Sequence, residues 1–299
     1  MSSSLPRNPR MPVPEGETGV NIFGYTPSLA HGVIALVIFL LWGVFAQTFH
    51  AVRAKGVKGG RAFAVLFVLG SAMECVGYGM RIAASRNPFV LVYFIVQYFM
   101  IVVAPVFYTA GIYLVLASVV RASPAFASAS LLRPRALLAI FIVADVLTTA
   151  LQVAGAALIG VAESQRADGK VPPLTPEQAN RILLAGLCVQ SFSFLIYLIL
   201  LFVFLARVYS RSGPRPDSLL MGTLLLTSLL IFLRTLFRLA ESAPGPTSGI
   251  SSSQALFALL ESLPVMLAIV AWASVPVHAR LTRQRQRLEG QEKMGEMSH

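Results

Sequence analysis

The sequence predicts an all-α integral membrane protein, a bundle of seven transmembrane helices. Three observations predict it. Of its 299 residues, 56% are hydrophobic and 12% charged, about half the charged share of a soluble domain, roughly 25%. The apolar residues gather into seven runs, each close to the ~20 residues that cross a bilayer as a helix. Within these runs the apolar residues are continuous instead of alternating, which excludes a closed β-barrel.

The elements follow in order. Segment 1–24 is polar and rich in Ser and Pro, and is expected outside the cell. The first apolar run is too long for the core of a cleavable signal, so the first span is expected to act as the targeting signal. The membrane domain is expected over 25–278, with spans at about 27–49, 62–83, 89–119, 135–161, 182–206, 219–240 and 254–277. The third is long enough to tilt or kink, and Pro105 in its middle supplies a cause. Loop 162–181 contains the Pro172-Pro173 turn, followed by Thr175-Pro176-Glu177. That run reads as a helix start with Thr175 as N-cap. Residues 279–299 form a charged, Gln-rich tail, expected to be a short interfacial helix that frays.

Basic residues set the orientation. Loop 50–61 carries Arg53, Lys55, Lys58 and Arg61, and loop 120–135 carries Arg121, Arg133 and Arg135. Loop 207–217 has Arg207, Arg211 and Arg215, and the tail has Arg280, Arg283, Arg285, Arg287 and Lys293. That puts 15 on one side against 6 on the other: Arg7, Arg10, Arg86, Arg166, Lys170 and Arg181. The positive-inside rule then gives an outside N-terminus and a cytoplasmic C-terminus. The net charge of +11 belongs to these loops and the tail, where it meets anionic head groups, not nucleic acid. Cys75 and Cys188 fall inside spans and read as small apolar residues, not as a disulfide or a metal site.

Several ionisable or amide residues lie inside the spans, where an ionised group costs a few kcal/mol and normally faces the bundle interior. Glu74, Tyr78 and Arg81 recur at i, i+4 and i+7 on the second span, with Gly77 between them. Arg234, Arg238 and Glu241 repeat the spacing on the sixth, and Asp145 and Gln152 lie seven apart on the fourth. Each set shares one helix face. Gln97, Gln190 and Glu261 add polar positions on the third, fifth and seventh spans. By orientation most lie in the outer half of the membrane, which suggests one polar pocket biased outward. Interhelical ion pairs that fix the bundle are the competing account.

Order and spacing together carry a family resemblance. The segments are Glu74-Cys-Val-Gly77-Tyr78-Gly-Met-Arg81, Gln97 with Ala104-Pro105 and Ala110-Gly-Ile-Tyr113, Asp145 with Gln152 and Gly155, Gly186 with Gln190, and Arg234-x-x-x-Arg238-x-x-Glu241. Together they resemble the fungal RTA-like proteins, also called the lipid-translocating exporter family. The resemblance runs from about Tyr25-Thr-Pro27-Ser28 to the seventh span. It implies seven spans, a fungal plasma membrane or related membrane, and Tyr113 among the ligand-site residues. It also implies export or flipping of sphingoid long-chain bases, resistance to sterol-like amphiphiles, or porphyrin and haem transport. The chain departs from the family pattern at Ala117-Ser118, where Gly-Arg is expected, and at Val275-Pro276, where His-Pro is expected. The branch, and so the ligand, stays open.

The function expected is translocation of an amphiphilic lipid, with membrane lipids as partners. No Gly-Lys-Ser/Thr phosphate loop occurs, so direct ATP drive is not expected. An amine head group would seek Glu74, Asp145 or Glu261; an anionic one would seek Arg234 and Arg238. A seven-span lipid receptor or sensor is the alternative from another class. No cofactor is expected; His50 and His278, at the same end of the first and seventh spans, are the one pair that could ligate haem. An enzyme is not expected, because His31 is the only span histidine on the outer side and a zinc ligand set is missing. The oligomeric state is not legible.

Overall fold

The computed structural model describes residues 25–54, 56, 58–167, 171, 174–211, 213–244 and 253–297. The expected extracellular segment 1–24, Lys55, Lys170, the Pro172-Pro173 turn and His299 lie outside the described residues. Among those described, the elements are α1 (Leu29–Arg53), α2 (Lys58–Arg86), α3 (Leu91–Val120), α4 (Pro124–Ala129) and α5 (Pro134–Ala167). There follow α6 (Pro176–Ser210), α7 (Ser218–Ser242), α8 (Gln254–Ser274) and α9 (Val277–Met297). Seven of these, all but α4 and α9, are long and apolar enough to cross a membrane. The all-α, seven-span class predicted from the sequence is the architecture observed.

Boundaries shift where caps and breaks lie. Helix α6 begins at Pro176, several residues before the apolar run, because Thr175 and Gln178 form a reciprocal capping box and Pro176 suits the first helical turn. The Thr175 start is therefore the start of the fifth span itself. Helix α8 stops at Ser274, since Val275 turns extended before Pro276. Helix α3 runs unbroken through Pro105. The tail differs most from expectation. Helix α9 continues to Met297, with Val277, Gln284 and Leu288 buried against the bundle. Arg280 Nη1 lies 3.3 Å from Asp217 Oδ2, and the Asp217 amide donates to Gln284 Oε1. A polar, charged segment is thus held by its few apolar positions and the N-cap of α7.

Around the bundle α1 packs on α2, α2 on α3, α5 on α6, α6 on α7 and α7 on α8, while α8 closes back on α1. Helix α3 touches α2, α5 and α7 and is the most enclosed span. Small residues permit the closest approaches. A Cβ at Gly155 would lie 2.6 Å from the Leu183 amide nitrogen, and one at Gly186 would lie 2.9 Å from the Thr148 carbonyl oxygen, so α5 and α6 meet backbone to backbone. Gly70 likewise admits the Tyr108 ring, at 2.7 Å from a Cβ built there. Leu, Ile, Val and Phe side chains such as Ile34, Phe45, Leu147, Phe192 and Leu259 point outward, as lipid requires.

Two spans carry a π-helical stretch, Phe39–Phe45 in α1 and Phe257–Ser262 in α8. Consecutive residues of an α-helix diverge by about 100°. The wider turn in α8 lets Glu261 and Ser262, neighbours in sequence, both point inward, each 1% exposed. Pro264 lies just beyond, and it has no amide hydrogen to return to the Leu260 carbonyl.

Candidate functional site

The faces read from the sequence are buried. Glu74, Tyr78, Arg81, Gln97, Tyr113, Asp145, Gln152, Arg234, Arg238 and Glu261 are enclosed, and Glu241 and Gln190 are half-buried. The structure sorts them into three groups that meet along the bundle axis, with Asp145 in a place of its own.

The first group joins α2, α7 and α8. Arg234 Nη2 bonds directly to Glu261 Oε1 and donates to the Ile101 carbonyl oxygen of α3 at 2.9 Å. Glu74 faces the same pair across the interior and acts electrostatically on both. It makes no hydrogen bond or ion pair of its own among the described residues, and its Oε2 is buried without a partner.

The second group lies near the Arg81 end of the bundle. Tyr78 donates to Ser262 Oγ, and the Ser262 oxygen lies 3.1 Å from His31 Nε2. Since the Ser262 hydroxyl has one proton, it passes the chain on from Tyr78 to His31. Arg81 has no carboxylate partner among the described residues. Its Nη2 donates to the Tyr25 hydroxyl at 2.9 Å, and its guanidinium lies over the Phe257 ring at 4.3 Å. Its Nε and Nη1 are buried without partners.

The third group is a narrow crevice of about 10 Å³ among α3, α5, α6 and α7. It is lined by Val102, Gln152, Leu187, Gln190, Arg234, Thr235 and Arg238. Gln152 Nε2 donates to Gln190 Oε1 at 2.7 Å, joining α5 to α6. Arg238 donates to Glu241 Oε2 at 2.8 Å and lies 4.9 Å from the centre of the Tyr98 ring. Gln97 is buried on α3 with its carbonyl oxygen unpartnered.

Asp145 stands apart. Its Oδ2 accepts from Thr109 Oγ1 at 2.6 Å and from the Tyr113 hydroxyl at 3.0 Å. Its Oδ1 is buried with no partner. Tyr113 therefore serves Asp145 and is not among the residues lining the crevice.

At the basic end, His50 Nε2 donates to the Ala273 carbonyl at 2.9 Å, clamping α1 to α8. His278 follows the break, its ring centroid 6.0 Å from that of His50. Burial, then the adjacent His50 and Arg53, hold the His278 imidazole below its usual value. The two histidines paired from the sequence are indeed neighbours. No group of three His, Cys, Asp or Glu that could hold a metal occurs among the described residues.

Ser262, Thr109 and Tyr98 join these groups without having been singled out in the sequence, and Tyr25 was noted there only as the start of the resemblance. Pro264 inside the last span is the one signal that could have drawn attention to Ser262; the others are unremarkable hydroxyl and aromatic residues.

Residues 67–284 match the model of the family described as RTA1 like protein. The chain is 28% identical to Protoporphyrin uptake protein 1 of Saccharomyces cerevisiae, over 86% of this chain and 92% of that protein. It is 25% identical to Protein RTA1 of the same yeast, over 84% and 83%. It is 30% identical to Sphingoid long-chain base transporter RSB1 of a strain of that yeast, over 66% of this chain but about half, 49%, of that protein.

Proposed function

This chain belongs to the RTA1-like protein family, and we propose that it is a membrane translocator of an amphiphile, whose head group enters the crevice between α5, α6 and α7. The observation that carries the reading is that two buried guanidinium groups and two amides, from Arg234, Arg238, Gln152 and Gln190, converge on one crevice within the spans. Such a set accepts carboxylate or hydroxyl oxygens, and guanidinium favours carboxylate. Of the cargoes in the relatives' names, the acid-bearing protoporphyrin therefore suits the crevice better than a sphingoid amine. Porphyrin is cargo in this reading, and no resident cofactor or catalytic step is assigned.

As it stands the crevice, about 10 Å³, has room for about one water, so entry of a head group requires α5 and α6 to part from α7 while the apolar body stays among the outward-facing side chains. The basic end, with α9 docked there, is assigned to the cytoplasm on the positive-inside rule, in a fungal plasma membrane.

The test is protoporphyrin IX uptake into proteoliposomes, with an NBD-labelled sphinganine as the second probe. Gln190→Leu removes a neutral, half-buried amide and is expected to lower protoporphyrin uptake about fivefold, the value of one hydrogen bond near 1 kcal/mol. Uptake at the wild-type rate in both Gln190→Leu and Arg238→Gln would sink the crevice as the head-group site.

A further inference from the structure

Four carboxylates are buried or half-buried within the described spans, and their surroundings differ. Glu261 and Glu241 are in direct contact with Arg234 and Arg238. Glu74 faces Arg234. Asp145 faces no basic side chain, although it is 1% exposed and sits near the centre of its span, 11 residues from Pro134. What surrounds it is neutral: Thr109 and Tyr113 from α3, and Thr148 and Thr149 on its own helix. Tyr113 is the titratable group that faces it among the described residues, a phenol whose own ring packs on that of Tyr197.

Those donors do not neutralise a charge. Thr109 divides its single proton between Asp145 and the Val106 carbonyl. Asp145 Oδ1 is buried and unpartnered among the described residues. An ionised carboxylate in such surroundings carries a cost of several kcal/mol. One proton on Oδ1 removes the charge and turns that oxygen into a donor.

A route for the proton is built into α5. Asp145, Thr149 and Gln152 stand at i, i+4 and i+7 on one buried face. The Thr149 hydroxyl is buried and unpartnered, and Gln152 lines the crevice. The distance from Asp145 to Gln152 is about 10 Å along the axis, at ~1.5 Å per residue.

We propose that Asp145 is a proton-binding site, loaded from the crevice by way of Thr149, and that its loading is coupled to passage of the amphiphile's acidic head group. The balance is simple: one O–H bond forms at Oδ1, one negative charge disappears, and the proton is taken from and returned to water. The coupling half rests on the translocator reading above; the proton site itself does not.

Two arms test this. In the first, the wild-type protein is treated with dicyclohexylcarbodiimide, which attacks protonated carboxyls in apolar surroundings, and peptides are analysed by mass spectrometry. Labelling of Asp145 that falls as pH rises is expected, with Glu241 and Glu261 spared by their arginines. An Asp145 left unlabelled at every pH, or labelled equally at all, overturns the proton site. In the second, protoporphyrin IX accumulation is measured in proteoliposomes under an imposed pH gradient. One-proton coupling gives about a tenfold change per pH unit, and Asp145→Asn is expected to reduce accumulation to the level without a gradient. An Asn variant that follows the gradient like the wild type, or a wild type whose uptake ignores it, overturns the coupling. A wild type that moves neither protoporphyrin nor NBD-sphinganine overturns the translocator reading and the coupling together, while the carbodiimide result still decides the proton site.

Discussion

Replacing Arg234 with Met separates structural from ligand-binding roles among the intramembrane charges. The guanidinium bonds directly to Glu261, with side chains 7% and 1% exposed, and it also donates to the Ile101 carbonyl. Removing one partner of a buried pair costs about 3–5 kcal/mol, because the other charge is left uncompensated. Here the loss strands two acids, Glu261 and Glu74, so the upper part of that range is expected. Glu261→Gln is milder, about 1.5–3 kcal/mol for a lost charged hydrogen bond, since Glu74 still faces the guanidinium. Glu74→Gln deletes an acid that makes no hydrogen bond and is expected to cost less than about 1 kcal/mol or to stabilise. Steric trapping in lipid bicelles, which reads unfolding free energy within a bilayer, measures all three. The reasoning is refuted if Arg234→Met falls within about 1 kcal/mol of wild type, or if Glu74→Gln costs as much as Arg234→Met.

Other sites give independent checks. Ser262→Ala leaves the buried Tyr78 hydroxyl and His31 Nε2 without their shared partner, an expected loss of about 1–3 kcal/mol measurable by the same trapping method. Gly155→Val drives a side chain into the Leu183 backbone; overpacking typically costs about 1–3 kcal/mol, and a lower melting temperature in fluorescence-detected size exclusion is expected. Asp217 caps α7 through the Leu220 amide and also holds Arg280. Asp217→Ala should lose about 1 kcal/mol for the cap and speed hydrogen exchange in α9. His278 is held below its usual value near 6.5 by burial and its neighbours, so the folded state binds that proton less readily than the unfolded chain. Stability from this site is therefore complete above about pH 6.5 and falls as pH drops through that value. His278→Gln should flatten the acid limb of a melting-temperature curve.

Most of the fold was legible because lipid makes a simple demand. Spans must be apolar and helical, so length and hydropathy alone gave their number, and the i, i+4, i+7 stripes gave their buried faces. Glu74, Tyr78 and Arg81 face inward as that periodicity required. The errors fall where periodicity is not the deciding force. The capping box at Thr175 and Gln178 extends α6 beyond its apolar run. Helix α9 has almost no hydropathy to announce it, and it persists because Gln284, Leu288 and the Arg280–Asp217 contact anchor it to the bundle. Ser262 was not singled out because it adds no charge to the stripe, and the π-helical turn that contains it beside Glu261 leaves no mark in the hydropathy pattern.

The polar site was legible as a set of residues but not as a set of partners. Spacing shows which residues share a face; it does not show which face of which helix lies opposite. Arg234 and Glu261 come from different spans, as do Thr109 and Asp145, and only packing joins them. That pairing changes how the intramembrane charges are understood. A bundle held together by ion pairs alone would match each acid with a base, and two of the four acids are so matched. The remainder are Arg81, Glu74 and Asp145, none of which has an ion-pair partner among the described residues, with Arg81 near one end of the bundle and Asp145 held by the Tyr113 phenol and the Thr109 hydroxyl. Unpaired buried charge works against stability. Ion pairing therefore accounts for the acids Glu241 and Glu261, while their partners Arg234 and Arg238 also line the crevice, and it leaves the other three unexplained. These three, whose charge works against folding, are the positions where rules of local consistency are broken, as they are at functional sites in general.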